Sequence, residues 1–462
     1  MSRSRAAPSE TGRAVRFRTT FRNTIHDMFR SKGWVETESD TDWDVAWVDK
    51  DWMRENFLTL SPTFGEMQRI NHFPNHYELT RKDNLIKNLK RTQRALLREG
   101  LHDEAARYDF FPGTYVLPAD YGLFVEEFKN HPSGTIWIMK PTGSAQGKGI
   151  FLFNKLAQIN DWKKDASWKT GGADESKAAA YVVQRYIENP QLIGGKKFDL
   201  RLYVLVTSYA PLTVYMCVSP AYHSGTTAKQ QRQPNSHAPS SYTHRYRSGF
   251  ARFSSYRYNT NAKNLGDTYV HLTNVAVQKT GPGFDAGAGS KWPLRNYRLF
   301  LVSKYGHQAT DRMFSDVEEL CTNTLLSVQK TMISDKHCFE MYGYDILIDD
   351  TLKPWLIEVN ASPSISADTI QDYDLKFGLL EDVYTVLDVE GRLRERDDGK
   401  LEPTIGGFDL IYHGGPTKGD KLSTSASKLG CFEERERRRG LQELFKRRGV
   451  QQPATTRQST VA

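Results

Sequence analysis

One stretch limits the fold more than any other: Tyr342 to Ser364, Y-G-Y-D-I-L-I-D-D-T-L-K-P-W-L-I-E-V-N-A-S-P-S. Ile346, Leu347 and Ile348 precede a polar D-D-T-L-K, and Trp355, Leu356, Ile357 and Val359 follow it, which reads as two strands around a turn. A hairpin closed symmetrically about Thr351–Leu352 sets Asp345 opposite Glu358, and period-two alternation puts Glu358 and Asn360 on one face. Directly opposed like charges destabilise an antiparallel pair, so two carboxylates amid apolar residues ask for a cation between them. A carboxylate–carboxylate–amide set offers hard oxygen ligands, which suit Mg²⁺ better than zinc. The competing reading is an exposed hairpin with two solvated acids, and the rest of the chain has to decide.

With 462 residues the chain is long enough for two to four domains and ample core. Its net charge of +8 suggests an acidic partner without choosing among nucleic acid, membrane surface and acidic protein. Cys217, Cys321, Cys338 and Cys431 show no C-x-x-C spacing, which argues against a zinc site or disulfide framework and fits a reducing compartment. The opening M-S-R-S-R-A-A-P-S-E-T-G-R carries no apolar core for a signal peptide, and the greasiest segment, Leu200 to Val218, is interrupted by Arg201. A soluble, cytoplasmic protein with no membrane contact is the expectation.

Residues 1–14 read as a disordered basic leader. The segment Trp43 to Met53 alternates like a strand running into a helix start, with its tryptophans packed in a core. Residues 78–99 predict one long helix: Leu85, Leu89 and Leu96 mark an apolar face, and Lys87, Lys90, Arg91, Arg94 and Arg98 recur at helical spacing. Seven basic residues against one acid lie between Arg81 and Arg98, so this helix is the first candidate for docking an acidic partner. No aromatic interleaving favours nucleic acid there. From Thr135 the pattern turns α/β, with strands at Ile136 to Pro141, A-Y-V-V-Q-R-Y-I and F-D-L-R-L-Y-V-L-V, the last placing Asp199 and Arg201 on one face. Residues 220–247 read as a polar loop insertion, 294–332 and 375–390 as helices, and 391–462 as a charged, partly disordered tail.

An ATP site needs cations and backbone N–H groups for phosphates, hard oxygens for Mg²⁺ and an apolar slot for adenine. Neither a G-x-x-x-x-G-K-[ST] loop nor the kinase strings H-R-D and D-F-G occur. Lys140 instead ends a buried strand, where an unpaired ammonium is costly, and Gly143, Gly147 and Gly149 let the next loop approach a polyphosphate, with Gln146 and Lys148 at its tip. Lys197 with Asp199 also reads as a surface pair and Arg252 as a solvated strand residue, while His271 and Cys338 are read as structural.

The collinear strings I-M-K-P, Q-G-K-G-I-F, Q-R-Y-I, G-G-K-K-F-D-L-R, H-L-T-N, G-Y-D-I-L-I-D and L-I-E-V-N-A-S-P-S resemble the signature of the tubulin tyrosine ligase-like enzymes, across roughly residues 15–390. Within that family the chain is most similar to the polyglutamylase branch, in its ninth subgroup, a short form associated with cilia. The resemblance implies an α/β (α+β) ATP-grasp fold with an N-terminal subdomain at 15–78, a central one at 79–190 and a C-terminal one at 191–390, the nucleotide lying between the last two. By motif it assigns ATP to Lys140, Gln146, Gly147, Lys148, Gln184, Arg185, Tyr186, Ile187, Lys197, Phe198, Asp199, Thr273 and Asn274, with adenine against the Gln184–Ile187 backbone. Mg²⁺ falls to Asp345, Glu358 and Asn360, the incoming glutamate and acceptor to Gln146, Arg252 and Lys291, and catalysis to Arg201, Lys197 and Glu358. Two positions depart from the pattern: Ser144 stands where many relatives have arginine, and Val275–Ala276 where glutamylases have Tyr-Ser, which bears on acceptor choice.

The implied activity is ATP-dependent addition of free L-glutamate to glutamate side chains in the acidic C-terminal tails of tubulin, on the cytoskeleton and at the cilium or flagellum axoneme or basal body. Auxiliary subunits and the choice of α- or β-tubulin are left open. The competing readings are a glycylase of the same fold, a tyrosine ligase, which leaves the cationic acceptor pair unexplained, and a microtubule-associated scaffold with a decayed or partner-dependent site.

Overall fold

A computed structural model describes residues 14–143, 147–159, 180–217, 249–261, 265–281, 291–361, 363–367, 369–391, 393, 400–417, 427, 429 and 430. The expected leader (bar residue 14), the 220–247 insertion, Gln146, Ser144 and the charged end of the tail lie outside the described residues.

Three sheets follow one another along the chain. The first is small and parallel, in the order β2-β1-β3-β4, from β1 (Arg16–Thr19), β2 (Val35–Glu36), β3 (Val45–Trp47) and β4 (Arg69–Ile70). Its two helices begin at side-chain caps. Asn23 accepts the Ile25 N–H to start α1 (Thr24–Ser31), and Asp49 accepts the Trp52 N–H to start α2 (Lys50–Leu60). Trp43 and Trp47 are buried, as the strand-to-helix pattern predicts.

The long helix expected over 78–99 is two helices, α3 (Tyr77–Thr80) and α4 (Lys82–Arg98), because Arg81 takes an extended conformation. The negative Asp83 side chain in the first turn of α4 favours a fresh start there through the helix dipole. Leu85 and Leu89 are buried and Leu96 packs beside them, in the core of the large third sheet. Lys82 opens α4 and precedes the buried Leu85, Ile86 and Leu89 by three, four and seven residues, so it shares their inward face and not the exposed row.

After α5 (His102–Ala106) comes the second sheet, antiparallel in the order β5-β8-β6-β7: β5 (Thr114–Leu117), β6 (Trp137–Pro141), β7 (Phe151–Phe153) and β8 (Tyr181–Arg185). The helix α6 (Tyr121–Asn130) seats Phe124 against Trp137 and Phe153.

The third sheet is built on β10 (Lys196–Tyr209), whose near-continuous apolar run marks a strand covered on both faces. One edge of β10 pairs with β14 (Glu340–Ile348) along Leu200–Val206. The other edge pairs with β12 (Phe250–Arg257) over its first half and β11 (Leu212–Cys217) over its second. Short β9 (Leu192–Ile193) and β13 (Lys291–Pro293) extend it, β15 (Pro354–Ala361) closes the expected hairpin, and the helices Leu294–Gln329 and Ile370–Val386 cover it, the first interrupted at Gly306. Two strands lie in the region read as tail: β16 (Thr404–Ile405) pairs with β17 (Phe408–His413), and β17 pairs with β11. The sheet therefore extends past residue 390, because Phe408 is fully buried and Leu410 and Ile411 nearly so.

The hairpin turn differs from the symmetric one expected. Ile348 pairs with Pro354, leaving a five-residue loop that Asp349 holds by accepting the Thr351 and Lys353 N–H groups and the Trp355 indole N–H at 2.9 Å each, while Leu352 turns left-handed at φ 70°. A register shift then falls between Asp345 and Ile346, and Asp345 still faces Glu358. The expected pairing holds, although the turn that produces it is wider.

Candidate functional site

The third sheet carries a charged row across five strands. Reading from one edge by register, Lys291 of β13 pairs with Arg252 of β12, which pairs with Asp199 of β10. Two residues along β10 on the same face, Arg201 pairs with Asp345 of β14, which pairs with Glu358 of β15. Cross-strand neighbours are close enough to bond. Arg252 donates from Nε and Nη2 to Asp199 at 2.7 and 2.6 Å and reaches Asp345 Oδ2 at 2.9 Å, while Arg201 donates to both Asp345 oxygens at 2.5 and 3.1 Å. These two guanidiniums outweigh burial and hold the Asp345 carboxyl well below the usual carboxylate range.

Glycine 343 makes this packing fit. A Cβ there would lie 2.9 Å from Pro363 Cβ and 3.4 Å from Arg201 Nη1. Lysine 82, the first residue of α4, lies 3.2 Å from Glu358 Oε2. The repulsion between Asp345 and Glu358 is therefore relieved in part by the chain's own cations, and the case for a metal rests on the donor set itself. That set fits a hard divalent ion: Asp345 is held ionised, and Asn360 lies on the Glu358 side of β15, its amide donating to Glu358 Oε1 at 3.4 Å.

Above the row lies a cleft between the second and third sheets, lined by Lys82, Lys140, Gly147, Gln184–Ile187, Lys197, Asp199, His271–Asn274, Asp345 and Glu358. Lys140 of β6 is buried and donates to Gln184 Oε1 at 2.8 Å, and burial, only partly offset by Glu358, lowers its ammonium to about 8. Lys197 of β10 donates to the Tyr186 hydroxyl at 2.8 Å and the His271 carbonyl at 2.9 Å; burial brings it to about 7 although Asp199 pulls the other way. Thr273 donates to Asp199 Oδ2 at 2.7 Å. Gly147, at φ 79°, packs so tightly that a Cβ would meet Val277 Cγ2 at 2.6 Å, which places the glycine loop over the H-L-T-N segment.

Most of the predicted residues converge here, with exceptions that have physical causes. Phe198 lies on the far face of β10, its ring against Phe253 and Tyr297, because strand side chains alternate. Lys148 is exposed and outside the cleft lining, Arg201, Arg252, Lys291 and Asn360 belong to the row and hairpin beneath the cleft and not to its lining, and Gln146 is outside the described residues. Arg252 is buried in ion pairs to two carboxylates, which sets it apart from Lys291, three-quarters buried and 3.4 Å from Asp372. His271 is 1% exposed and hydrogen-bonded, as a structural histidine should be, yet it lines the cleft. Sequence reasoning missed Lys82, whose signal is its spacing: it stands three, four and seven residues before Leu85, Ile86 and Leu89, on the inward face of α4.

The model of the tubulin-tyrosine ligase family matches residues 59–218 and 242–395. A Bos taurus protein named probable tubulin polyglutamylase TTLL9 is 46% identical over 91% of this chain and 88% of its own length. The Caenorhabditis elegans probable tubulin polyglutamylase ttll-9 is 43% identical over 86% of this chain and 84% of its own, and the Tetrahymena thermophila probable alpha-tubulin polyglutamylase Ttll1 is 40% identical over 86% and 92%. With the family matched over most of the chain and the α/β cleft in place, the chain belongs to the tubulin-tyrosine ligase family, whose fold is of the ATP-grasp type.

Proposed function

We propose that the chain is an ATP-dependent tubulin polyglutamylase. The observation that carries this reading is the charged row with the cleft above it, where Lys82, Lys140, Lys197, Arg201 and Arg252 come from three strands and a helix around Asp345 and Glu358. Relatives named as tubulin polyglutamylases over nearly their whole length point the same way.

The chemistry is amide formation from a carboxylate, a poor electrophile whose leaving group would be oxide. An acceptor γ-carboxylate oxygen attacks the γ-phosphorus of ATP and releases ADP, giving an acyl phosphate. The α-amine of free glutamate then attacks the acyl carbon, loses a proton and expels phosphate, leaving an isopeptide bond. Lys140 and Lys197 bind the nucleotide phosphates, and Gln184–Ile187 line the adenine side. Arg201 lies where charge builds on the transferring phosphoryl group and on the tetrahedral intermediate, and Lys197 supports it. Asp345, Glu358 and Asn360 would hold Mg²⁺, which when bound would neutralise phosphate charge. Lys291, the more accessible end of the row, holds a glutamate carboxylate, while Arg252 fixes Asp199 and Asp345. The largest task is to gather two carboxylates and a triphosphate in one place.

The exposed cations of α4 attract the acidic tubulin tail over distance. They share their groove with Asp120, Glu126 and Glu127 on the α6 side, which tempers that field. Action on tubulin puts the protein at the cytoskeleton, and placement at the cilium or basal body rests on the resemblance to the ninth subgroup.

The test is purified protein with tubulin, ATP, Mg²⁺ and labelled glutamate or glycine, read by mass spectrometry of the tails. Glutamate incorporation lost in Glu358→Gln supports the ligase, and glycine incorporation identifies a glycylase. Tubulin binding indifferent to ATP and to that substitution, with nothing incorporated, overturns the reading in favour of a scaffold.

A further inference from the structure

We propose that His271 is a positioning residue: its ring orients Tyr186, and through the Tyr186 hydroxyl it aims the Lys197 ammonium at the nucleotide. The inference rests on the cleft being a nucleotide site. Three separate segments meet at one buried point. Tyr186 follows β8 of the second sheet, Lys197 lies on β10 of the third, and His271 ends the short helical turn Thr268–His271. Lys197 Nζ donates to the Tyr186 hydroxyl at 2.8 Å and to the His271 carbonyl at 2.9 Å, and the same hydroxyl shares a 3.0 Å hydrogen bond with His271 Nδ1. The His271 ring stands edge-on to Tyr186, with centroids 5.6 Å apart and planes at 82°, and Lys197 Nζ lies 4.4 Å from the Tyr186 centroid. Tyr258 closes the ring from the other side, bonding to Tyr186 and donating to the Glu188 carbonyl at 2.9 Å.

An ammonium has three donors and a flexible stem, so an isolated lysine points its charge poorly. Here two of the three donors go to fixed acceptors, which leaves the direction of the third determined by Tyr186 and His271. Both acceptors are neutral, so they solvate the buried charge without consuming it as a carboxylate would. The contact also bridges the second and third sheets at the back of the cleft, so the lysine is aimed only when the two sheets are in register.

The experiment uses the full chain with tubulin and glutamate, titrating ATP, with a melting curve for each variant. His271→Phe and Tyr186→Phe are each expected to raise the KM for ATP about tenfold with a smaller change in kcat, the scale of one hydrogen bond to a charged group. The double variant should be no worse than either single one, because both break the same contact. His271→Asn, whose amide reaches the place of Nδ1, should restore most of the affinity, and His271→Gln, which mimics Nε2, should not. An unchanged KM in both single variants, additive losses, or equal behaviour of Asn and Gln overturns the proposal. If His271→Phe does not fold, Tyr186→Phe, which removes a single oxygen, decides. Direct ATP binding to the unmodified chain, measured by calorimetry, separates the two levels: no binding overturns the nucleotide site itself, while binding with indifferent variants overturns only the role of His271.

Discussion

Two cationic regions of this molecule carry similar residues and differ in almost everything else. In the cleft and the row beneath it, Lys140, Lys197 and Arg252 are each under a tenth exposed, and each bonds to a named oxygen. On α4, Lys87, Arg91, Arg94 and Arg98 face solvent along one side of a helix. Desolvation makes a buried charge strongly dependent on its partners, so the effect of removing one is large and local. Exposed charges act through a screened field, and each contributes little by itself. Chemistry at one place and attraction at another call for these two designs respectively.

The contrast can be broken most forcefully at the hairpin. Glu358→Gln should lower glutamate incorporation about a thousand-fold in kcat, several kcal/mol of lost charge stabilisation, with the melting temperature little changed. A variant retaining near-native turnover would remove the hairpin from the mechanism.

Next comes Arg252→Ala. Loss of this guanidinium leaves Asp199 in the interior without its ion-pair partner, while Asp345 keeps Arg201, and denaturant unfolding should report about 3–5 kcal/mol of lost stability. Lys291→Ala, at the more accessible end of the same row, should cost under about 1 kcal/mol and raise the KM for glutamate instead. Comparable stability losses in the two would erase the distinction between them. Arg252→Ala is for this reason a poor test of glutamate against glycine, and Lys291→Ala the better one.

The third prediction concerns pH. Lys197 has a folded value lowered from 10.5 to about 7, so between those limits the unfolded chain binds the extra proton. Its contribution therefore makes the ligand-free fold more stable as pH rises from 7 toward 10. On the proposed reading the Lys197 ammonium binds phosphate, so the KM for ATP should move the other way, rising by up to about tenfold per unit above pH 7. A KM for ATP flat from pH 7 to 9 would show that Lys197 stays protonated without the nucleotide.

The smallest effect belongs to α4. Lys87, Arg94 and Arg98 changed together to Glu should raise the KM for tubulin a few-fold at about 0.1 M salt, leave the KM for ATP unchanged, and lose their effect near 1 M. An effect that persists at high salt would identify a direct contact in place of a field.

Much of the fold is legible in the sequence because its signals are local. The hairpin is written in its period of two, β10 in its near-continuous apolar run, and the pairing of Asp345 with Glu358 holds through a wider turn and a register shift. The split between α3 and α4 was harder to read, since the leucine spacing runs across it and only Arg81 and Asp83 mark the break. The strand Phe408–His413 was hidden because six residues within a polar stretch carry too little pattern to outweigh their surroundings.

What the sequence determined by itself is the inventory: which strands exist, which faces bear charge, and which cations and carboxylates are available to a nucleotide. Only the tertiary structure decided their partners. Arg252 next to two carboxylates, Lys82 on Glu358, and His271 on Tyr186 are pairings between residues 53 to 276 positions apart, and no periodicity reaches across them. Alternation along a strand fixes the face a side chain takes, whereas its ionisation and aim depend on what a distant segment brings against it.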